Sequence, residues 1–230
     1  MSYIKTILCL ACSRKMSGYC VAGKEVKAGQ YGDWIRPVSR RKDQEISETE
    51  RRCAGGQKAN VLDVLRIRFA AHVPVHHQTE NHLIDGDQVW SRIGKATWDD
   101  VRSALDNLKG PIWANGYSSG HGLNDRVPDS IAKKFGSSLL LLEVSELQLS
   151  VAMESSPGRA PKRKVRAHFR FSGISYVIAV TDPDWESSYK QKGDGDYLIG
   201  DAILCISLGE VFEGYAYKLV AGIFTKKTCR

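Results

Sequence analysis

The sequence lacks three features that would each indicate a particular class of protein: a long hydrophobic run, a secretory leader and a repeated cysteine motif. Its apolar blocks, such as Leu139–Leu142, have the length of a strand, whereas a transmembrane helix needs about 20 apolar residues. Met1 is followed almost directly by a predicted strand, with no charged leader region and no apolar leader core. The six cysteines, at positions 9, 12, 20, 53, 205 and 229, are interpreted as reduced thiols. We therefore expect a cytoplasmic protein without a membrane partner.

The composition is that of a globular protein with a basic charge balance. The chain has 230 residues, of which 42% are hydrophobic and 26% charged, enough for one large or two small domains. The formal net charge is +7 and the pI is about 9.1, values that suit polyanions such as nucleic acid or nucleotides. Many soluble proteins of this charge bind no nucleic acid, so the charge alone leaves the question open.

The hydrophobic pattern predicts many short strands. The clearest case is 163–171, where apolar residues at 165, 167, 169 and 171 alternate with the basic or imidazole residues at 164, 166, 168 and 170. Gly173 and a second strand at 176–181 complete a predicted hairpin. The remaining strands are predicted at 3–12, 19–26, 33–38, 61–71, 138–145, 148–153, 202–208 and 215–224.

One helix is predicted, from Thr97 to Leu108. Thr97 is a suitable N-cap, and Asp99 and Asp100 lie in the first turn, where the helix dipole favours acidic side chains. A long loop rich in Gly, Ser and Asn follows, from 111 to 135, and 182–201 is an acidic, Gly-rich segment in which Asp182 marks a strand-ending turn.

The predicted fold is therefore mainly β, with two small OB-like β-barrels and one central α-helix. The first barrel is assigned to 1–90 and the second to 137–230, while 91–136 holds the helix and a long loop that connects or covers the barrels. A pair of SH3-like or PUA-like barrels is the nearest alternative.

Three short motifs carry weak chemical signals. Cys9 and Cys12 have the spacing of a metal or redox pair, but residues three apart on a straight strand face opposite sides, so buried thiols are favoured. The polar run 76–82 contains three histidines and Glu80, which leaves a metal site, an amide-based recognition loop and a plain surface loop as alternatives. The Gly116–Gly120 match to a serine hydrolase motif lacks its strand and helix, so a flexible loop is favoured. We predict no metal site, no cofactor and no catalytic residue.

A group near the N-terminus is the most coherent candidate binding surface. Arginine forks suit phosphate oxygens, and a tryptophan face suits the stacking of a base. The alternative is that the tryptophan belongs to the core and the arginines are solvated. The group consists of Arg14, Lys15, Trp34, Arg36, Arg40 and Arg41.

Six stretches resemble a family of prokaryotic proteins, the dual OB-containing domain family. They are I-L-C-L-A-C-S-R-K at 7–15, W-I-R-P-V-S at 34–39, H-Q-T-E-N at 77–81, N-D-R-V at 124–127, Y-V-I-A-V-T-D-P at 176–183 and I-S-L-G-E-V-F-E-G-Y-A-Y-K-L-V-A at 206–221. The resemblance runs through nearly the whole chain and implies two OB-like barrels, a fold that serves DNA, RNA, nucleotides and protein partners alike. Cys12 stands where the family is expected to have a small polar residue, which weakens a metal role for Cys9 and Cys12.

The resemblance also implies which polar residues matter. Amides, carboxylates and arginines together suit hydrogen-bond recognition of a defined polar group. Carried over onto the matching segments, these residues are Ser13, Arg14, Lys15, Trp34, Arg36, Ser39, Gln78, Glu80, Asn81, Asn124, Asp125, Arg126, Asp182, Tyr217 and Lys218.

Three hypotheses of function follow. The first is a non-catalytic protein that binds DNA or RNA, with the N-terminal cations on the phosphates and Trp34 stacked on a base. The second is a nucleotide or modified-base binding module, with or without enzymatic activity, in which Arg36, Gln78, Asn81 and Asp125 line one pocket. The third is an interaction scaffold of a bacterial defence system that binds a protein partner.

Overall fold

The computed structural model describes residues 2–86, 88–156 and 158–229, and the chain divides into two compact units. The first unit comprises Met1–Leu105, Gly136–Leu139 and Lys226–Arg230, and the second comprises Asp106–Phe135 and Leu140–Thr225. In the described part of the chain, no helix has the length and apolar character of a membrane span.

The first unit is a closed barrel. Its strands are β1 (Tyr3–Lys15), β2 (Gly18–Lys27), β3 (Gln30–Val38), β4 (Asp63–His72), β5 (Asn81–Ile84) and β6 (Ser91–Lys95). The hydrogen-bonded order is β1-β2-β3-β5-β4, and β1 pairs with β4 to close the ring, while β6 adds to β4 at the edge. All pairs are antiparallel except β3 with β5, which run parallel. This is a five-stranded Greek-key barrel of the OB type.

A β-bulge in β1 changes the side on which its residues lie. The register with β2 shifts between Cys9 and Ala11, so that Cys9 and Cys12 both enter the core of the first barrel. The prediction that residues three apart face opposite sides is therefore wrong here, because a bulge inserts an extra residue and reverses the alternation. Both sulfur atoms are buried among residues such as Ile7, Ile35 and Phe69.

The predicted central helix is present as α1 (Trp98–Ser103), and Thr97 forms a capping box with Asp100. It ends before the predicted limit at Leu108. The reason is a competing pairing, since the Asp106 amide donates to the Leu141 carbonyl (3.0 Å) and the Leu141 amide donates to the Asp106 carboxylate (2.7 Å). Asp106 is thus bound to a strand of the second unit instead of continuing the helix.

The second unit repeats the first barrel's topology. Its elements are β7 (Arg126–Pro128), α2 (Asp129–Ala132), β8 (Leu139–Ser156), β9 (Arg159–Phe171), β10 (Ile174–Val180), α3 (Pro183–Lys192), β11 (Gly195–Phe212) and β12 (Tyr215–Phe224). The order is β10-β9-β8-β11-β12, closed by a parallel pairing of β10 with β12, and β7 adds to β12. If β8 to β12 are counted as strands 1 to 5 of the second barrel, the strands of both units form a ring in the order 1-2-3-5-4. This order confirms two OB-like barrels.

The alternation predicted for 163–171 is confirmed. Val165, Ala167 and Phe169 are buried in the second core, whereas Lys164 and Arg170 are exposed on the outer side of β9. This places a row of basic side chains on the second strand of the second barrel.

The helix α3 lies within 182–201, where the sequence predicts a strand-ending turn at Asp182 and no helix. The Asp182 carboxylate accepts hydrogen bonds from the Asp184 and Trp185 amides, and Pro183 occupies the first helical turn. These start signals are present in the sequence, but the acidic, Gly-rich composition obscures them.

Candidate functional site

Two members of the predicted N-terminal group, Trp34 and Arg36, are buried within the first unit. Trp34 is 6% exposed and Arg36 is 4% exposed. The Lys24 ammonium group lies 5.0 Å from the centre of the Trp34 ring, so one face of the indole already contacts a cation of the chain. In this structure neither side chain presents an open surface to a phosphate or a base.

Arg36 is the centre of a buried polar cluster, which we call the Arg36 latch and which comprises Arg36, Glu80 and Ser138. The Arg36 guanidinium lies 3.1 Å from the Glu80 carboxylate and donates to the Ser138 hydroxyl (2.8 Å). The Ser138 hydroxyl in turn donates to Glu80, and the Arg36 amide donates to the Glu80 carbonyl (2.8 Å). The latch therefore joins β3, the segment before β5 and Gly136–Leu139 within the first unit.

Neighbouring residues extend this structural role. The Thr79 hydroxyl donates to the Gly136 carbonyl (2.5 Å), and the side-chain amide of Asn81 donates to the side-chain oxygen of Gln78 (3.4 Å). Gln78 and Asn81 are 6% and 0% exposed. The segment 77–82 is thus largely buried, which makes the surface-loop interpretation wrong. Among the described residues, no cluster of three or more His, Cys, Asp or Glu side chains could hold a metal ion.

The other predicted residues of the first unit are dispersed. Arg41 pairs with Glu45 (2.8 Å), and the Ser39 hydroxyl donates to Glu50 (2.6 Å). Among the remaining four residues, Arg14 and Arg40 are exposed, Lys15 is half-buried and Ser13 is buried. The ligand-binding role of these residues stays a prediction.

In the second unit, Asp125 and Lys218 fasten a long loop to the barrel. The Lys218 ammonium donates to the Ala114 carbonyl (2.8 Å) and lies 5.2 Å from the centre of the Tyr176 ring. The Asp125 carboxylate accepts from both the amide (2.7 Å) and the hydroxyl (2.6 Å) of Ser119. The loop expected to be flexible around Gly116–Gly120 is therefore tied down by hydrogen bonds.

Lys218 is an unusually buried amine, with 1% of its surface exposed. Burial lowers its pKa from 10.5 to about 7, and the negative charge of Asp125 opposes this shift. The Lys218 amide also donates to the Asp125 carbonyl (2.8 Å), so the structure brings these two predicted residues together. The third predicted site residue of the second unit is Arg126, and its guanidinium lies 4.1 Å from the centre of the Tyr215 ring.

An open pocket lies across β8, β9 and β10 of the second barrel, and we call it the β9 pocket. It has a volume of about 400 Å³. Its lining combines polar, charged and aromatic groups, namely Ser145, Glu146, Gln148, His168, Phe169, Arg170, Ser175, Tyr176 and Val177. The strand register explains why these residues meet, since His168 is opposite both Gln148 and Val177, and Arg170 is opposite Ser175.

The charge around the β9 pocket is dominated by its central strand. The sequence of β9, R-A-P-K-R-K-V-R-A-H-F-R-F, has six cationic residues, one histidine and no acidic residue. Arg166 is paired with Glu154 (2.5 Å) and Arg163 with Asp194 (2.8 Å). Within the described part of the chain, Lys164 and Arg170 form no ion pair. Both side chains are exposed, and the Arg170 guanidinium donates one hydrogen bond to the Gly173 carbonyl (3.1 Å).

His168 contributes to the β9 pocket as an uncharged group. Burial, with a further contribution from Arg166, lowers the pKa of His168 below its usual 6.5. One ring nitrogen is 2.7 Å from the Ser150 hydroxyl. At neutral pH the imidazole can therefore accept or donate a hydrogen bond to a ligand without adding charge.

Sequence reasoning missed the β9 pocket. The alternation of 163–171 predicts a hairpin, and by itself it does not mark the outer row of that hairpin as a binding surface. The sequence does contain a signal for it. In the strand-like alternation of 163–171, three of the four outward positions are cationic, namely Lys164, Arg166 and Arg170.

A family model for the dual OB-containing domain matches residues 5–223. The chain belongs to this family. No curated protein and no solved structure matches the chain significantly.

The segments that resemble the dual OB-containing family meet at the two buried clusters. Within the first unit, 34–39 and 77–81 supply Arg36 and Glu80 to the Arg36 latch. Within the second unit, 124–127 and 206–221 supply Asp125 and Lys218. The resemblance thus falls on residues whose contacts stabilise an OB barrel, and membership of the family supports an OB-fold binding module.

Proposed function

We propose that this protein binds single-stranded nucleic acid across the outer face of β8, β9 and β10 in its second barrel. The observation that carries the proposal is the outer row of β9, in which Lys164, His168 and Arg170 lie on the second strand of an OB barrel. OB barrels commonly bind oligonucleotides over the face of strands 2 and 3, which are β9 and β10 here.

Electrostatics supports a polyanion as the ligand. The whole chain carries a formal charge of +7, and β9 alone contributes six cations. Lys164 and Arg170 are exposed, so they can contact phosphates without first breaking an internal ion pair. Arg166 is paired with Glu154, and this ion pair stabilises the β8–β9 hairpin.

The β9 pocket favours a single strand over a duplex. Its Gln148, Ser175 and His168 side chains offer hydrogen bonds to the edge of a base, and such edges are available when a base is unpaired. A surface that bound only phosphates would not need a pocket lined by these hydrogen-bonding side chains.

Fluorescence anisotropy with labelled single-stranded DNA, single-stranded RNA and duplex DNA tests the proposal. We expect binding of single strands that weakens as salt is raised. The double variant Lys164→Ala/Arg170→Ala should bind more weakly, and the slope of log K against log salt should fall by about 0.7 for each phosphate that the variant no longer neutralises. The matched control is Arg14→Ala/Arg40→Ala, which removes two exposed cations of the first barrel and should bind like the wild type.

Absence of binding to all three nucleic acids at low salt would overturn the proposal. Equal weakening by both double variants would also contradict it, because the effect would then follow total charge and not the β9 face. Saturable binding of a mononucleotide with weak salt dependence would instead support a small-ligand module.

A further inference from the structure

The lining of the β9 pocket includes one acidic residue, Glu146, which a phosphate site would not need. Glu146 is exposed, and its backbone has φ 56°, a left-handed conformation that a residue with a side chain seldom adopts. The residue after it, Leu147, is fully buried in the second core. A residue with a left-handed backbone thus lines the pocket at the point where β8 returns to the core, and local strain of this kind also occurs at functional sites.

A carboxylate in this position selects for hydrogen-bond donors. An ionised carboxylate accepts hydrogen bonds and offers none, and it repels phosphate. The ligand must therefore present N–H groups to Glu146 while its phosphates lie toward Lys164 and Arg170. Among the bases, guanine alone carries two adjacent donors on its Watson–Crick edge, at N1 and at the N2 amino group, which match the two carboxylate oxygens.

We propose that the β9 pocket takes a guanine base, with Glu146 accepting hydrogen bonds from its N1–H and N2 amino groups; this rests on the proposed function. Gln148, two residues further along β8, also lines the pocket, and its side-chain amide can donate to guanine O6. Uracil and thymine present one ring N–H between two carbonyls, so the carboxylate would meet an acceptor on either side. The strand is therefore bound by its phosphates and positioned by one guanine.

Competition anisotropy with short oligoadenylates that differ at one central position tests the inference. The central residue is guanine, inosine, adenine or uracil, and inosine removes only the N2 amino group. For the wild type we expect the guanine oligonucleotide to bind about tenfold more tightly than the others, as a bidentate contact typically provides. Glu146→Gln should lose this preference while its salt dependence stays that of the wild type.

Glu143→Gln is the control, since Glu143 is an exposed carboxylate of the same strand outside the pocket lining. It should keep the preference for guanine. Tight, salt-dependent binding without any preference among the four oligonucleotides would overturn this inference and leave the proposed function intact. A preference that survives in Glu146→Gln would likewise overturn it, whereas failure of every oligonucleotide to bind would contradict the proposed function itself.

Discussion

Replacement of Arg36 by alanine should lower the free energy of unfolding by about 3–5 kcal/mol, the usual cost of removing one partner from a buried ion pair. Arg36 and Glu80 have side chains that are 5% and 3% exposed and lie 3.1 Å apart. Among the described residues, the substitution leaves the buried Glu80 carboxylate with the Ser138 hydroxyl and amide as its hydrogen-bond donors. Urea denaturation followed by circular dichroism measures the change.

Two further variants separate this explanation from a general sensitivity of the first barrel. Arg40→Ala removes an exposed arginine nearby and should shift the free energy of unfolding by no more than about 0.5 kcal/mol. The double variant Arg36→Met/Glu80→Leu removes both charges, and it should be less destabilised than Arg36→Ala, because no unpaired charge remains buried. A double variant as unstable as the sum of two singles would contradict the Arg36 latch.

The stability of the wild type should rise with pH between about 7 and 9 because of Lys218. Its pKa is about 7 in the folded state and 10.5 ordinarily, so across this window the unfolded chain binds more protons than the folded chain. Stability rises with pH wherever the unfolded state binds more protons. The contribution of this one amine from pH 7 to pH 9 is about 2 kcal/mol.

Lys218→Met isolates this contribution, since methionine has a similar length and no charge. The difference in free energy of unfolding between wild type and Lys218→Met should change by about 2 kcal/mol, in favour of the wild type, from pH 7 to pH 9. Lys164→Met, at an exposed position of the same unit, should leave the pH dependence as it is. Parallel curves for wild type and Lys218→Met would show that Lys218 is charged in the folded protein throughout this range.

The architecture could be predicted because it depends on local patterns. The alternation of Val165 and Ala167 with Lys164 and Arg166 indicates both the strand and its buried side, and the tight turn at Gly173 indicates the hairpin. Such signals need only neighbouring residues. The same holds for the Thr97 cap of α1, whereas the end of that helix depends on Leu141, far along the chain.

The location of the candidate site could not be predicted from the strand ends. The sequence places Arg36 at a polar surface, but its partner Ser138 lies 102 positions away, and nothing near Arg36 in sequence indicates that contact. The bulge at Cys9 and the left-handed Glu146 likewise depend on how the whole barrel closes. The basic row of β9 is visible in the sequence, and only the barrel topology shows that it lies on the second strand of an OB fold.

Photo-crosslinking with peptide mapping tests the central claim most directly. A short single strand that carries 5-iodouracil beside its central guanine is bound to the wild-type protein, irradiated, and the crosslinked peptides are identified by mass spectrometry. The account predicts crosslinks within 145–148, 168–170 and 175–177, the three strand segments that line the β9 pocket, and their disappearance in Lys164→Ala/Arg170→Ala. Crosslinks confined to the first unit, around Arg14 or Arg40, would contradict it.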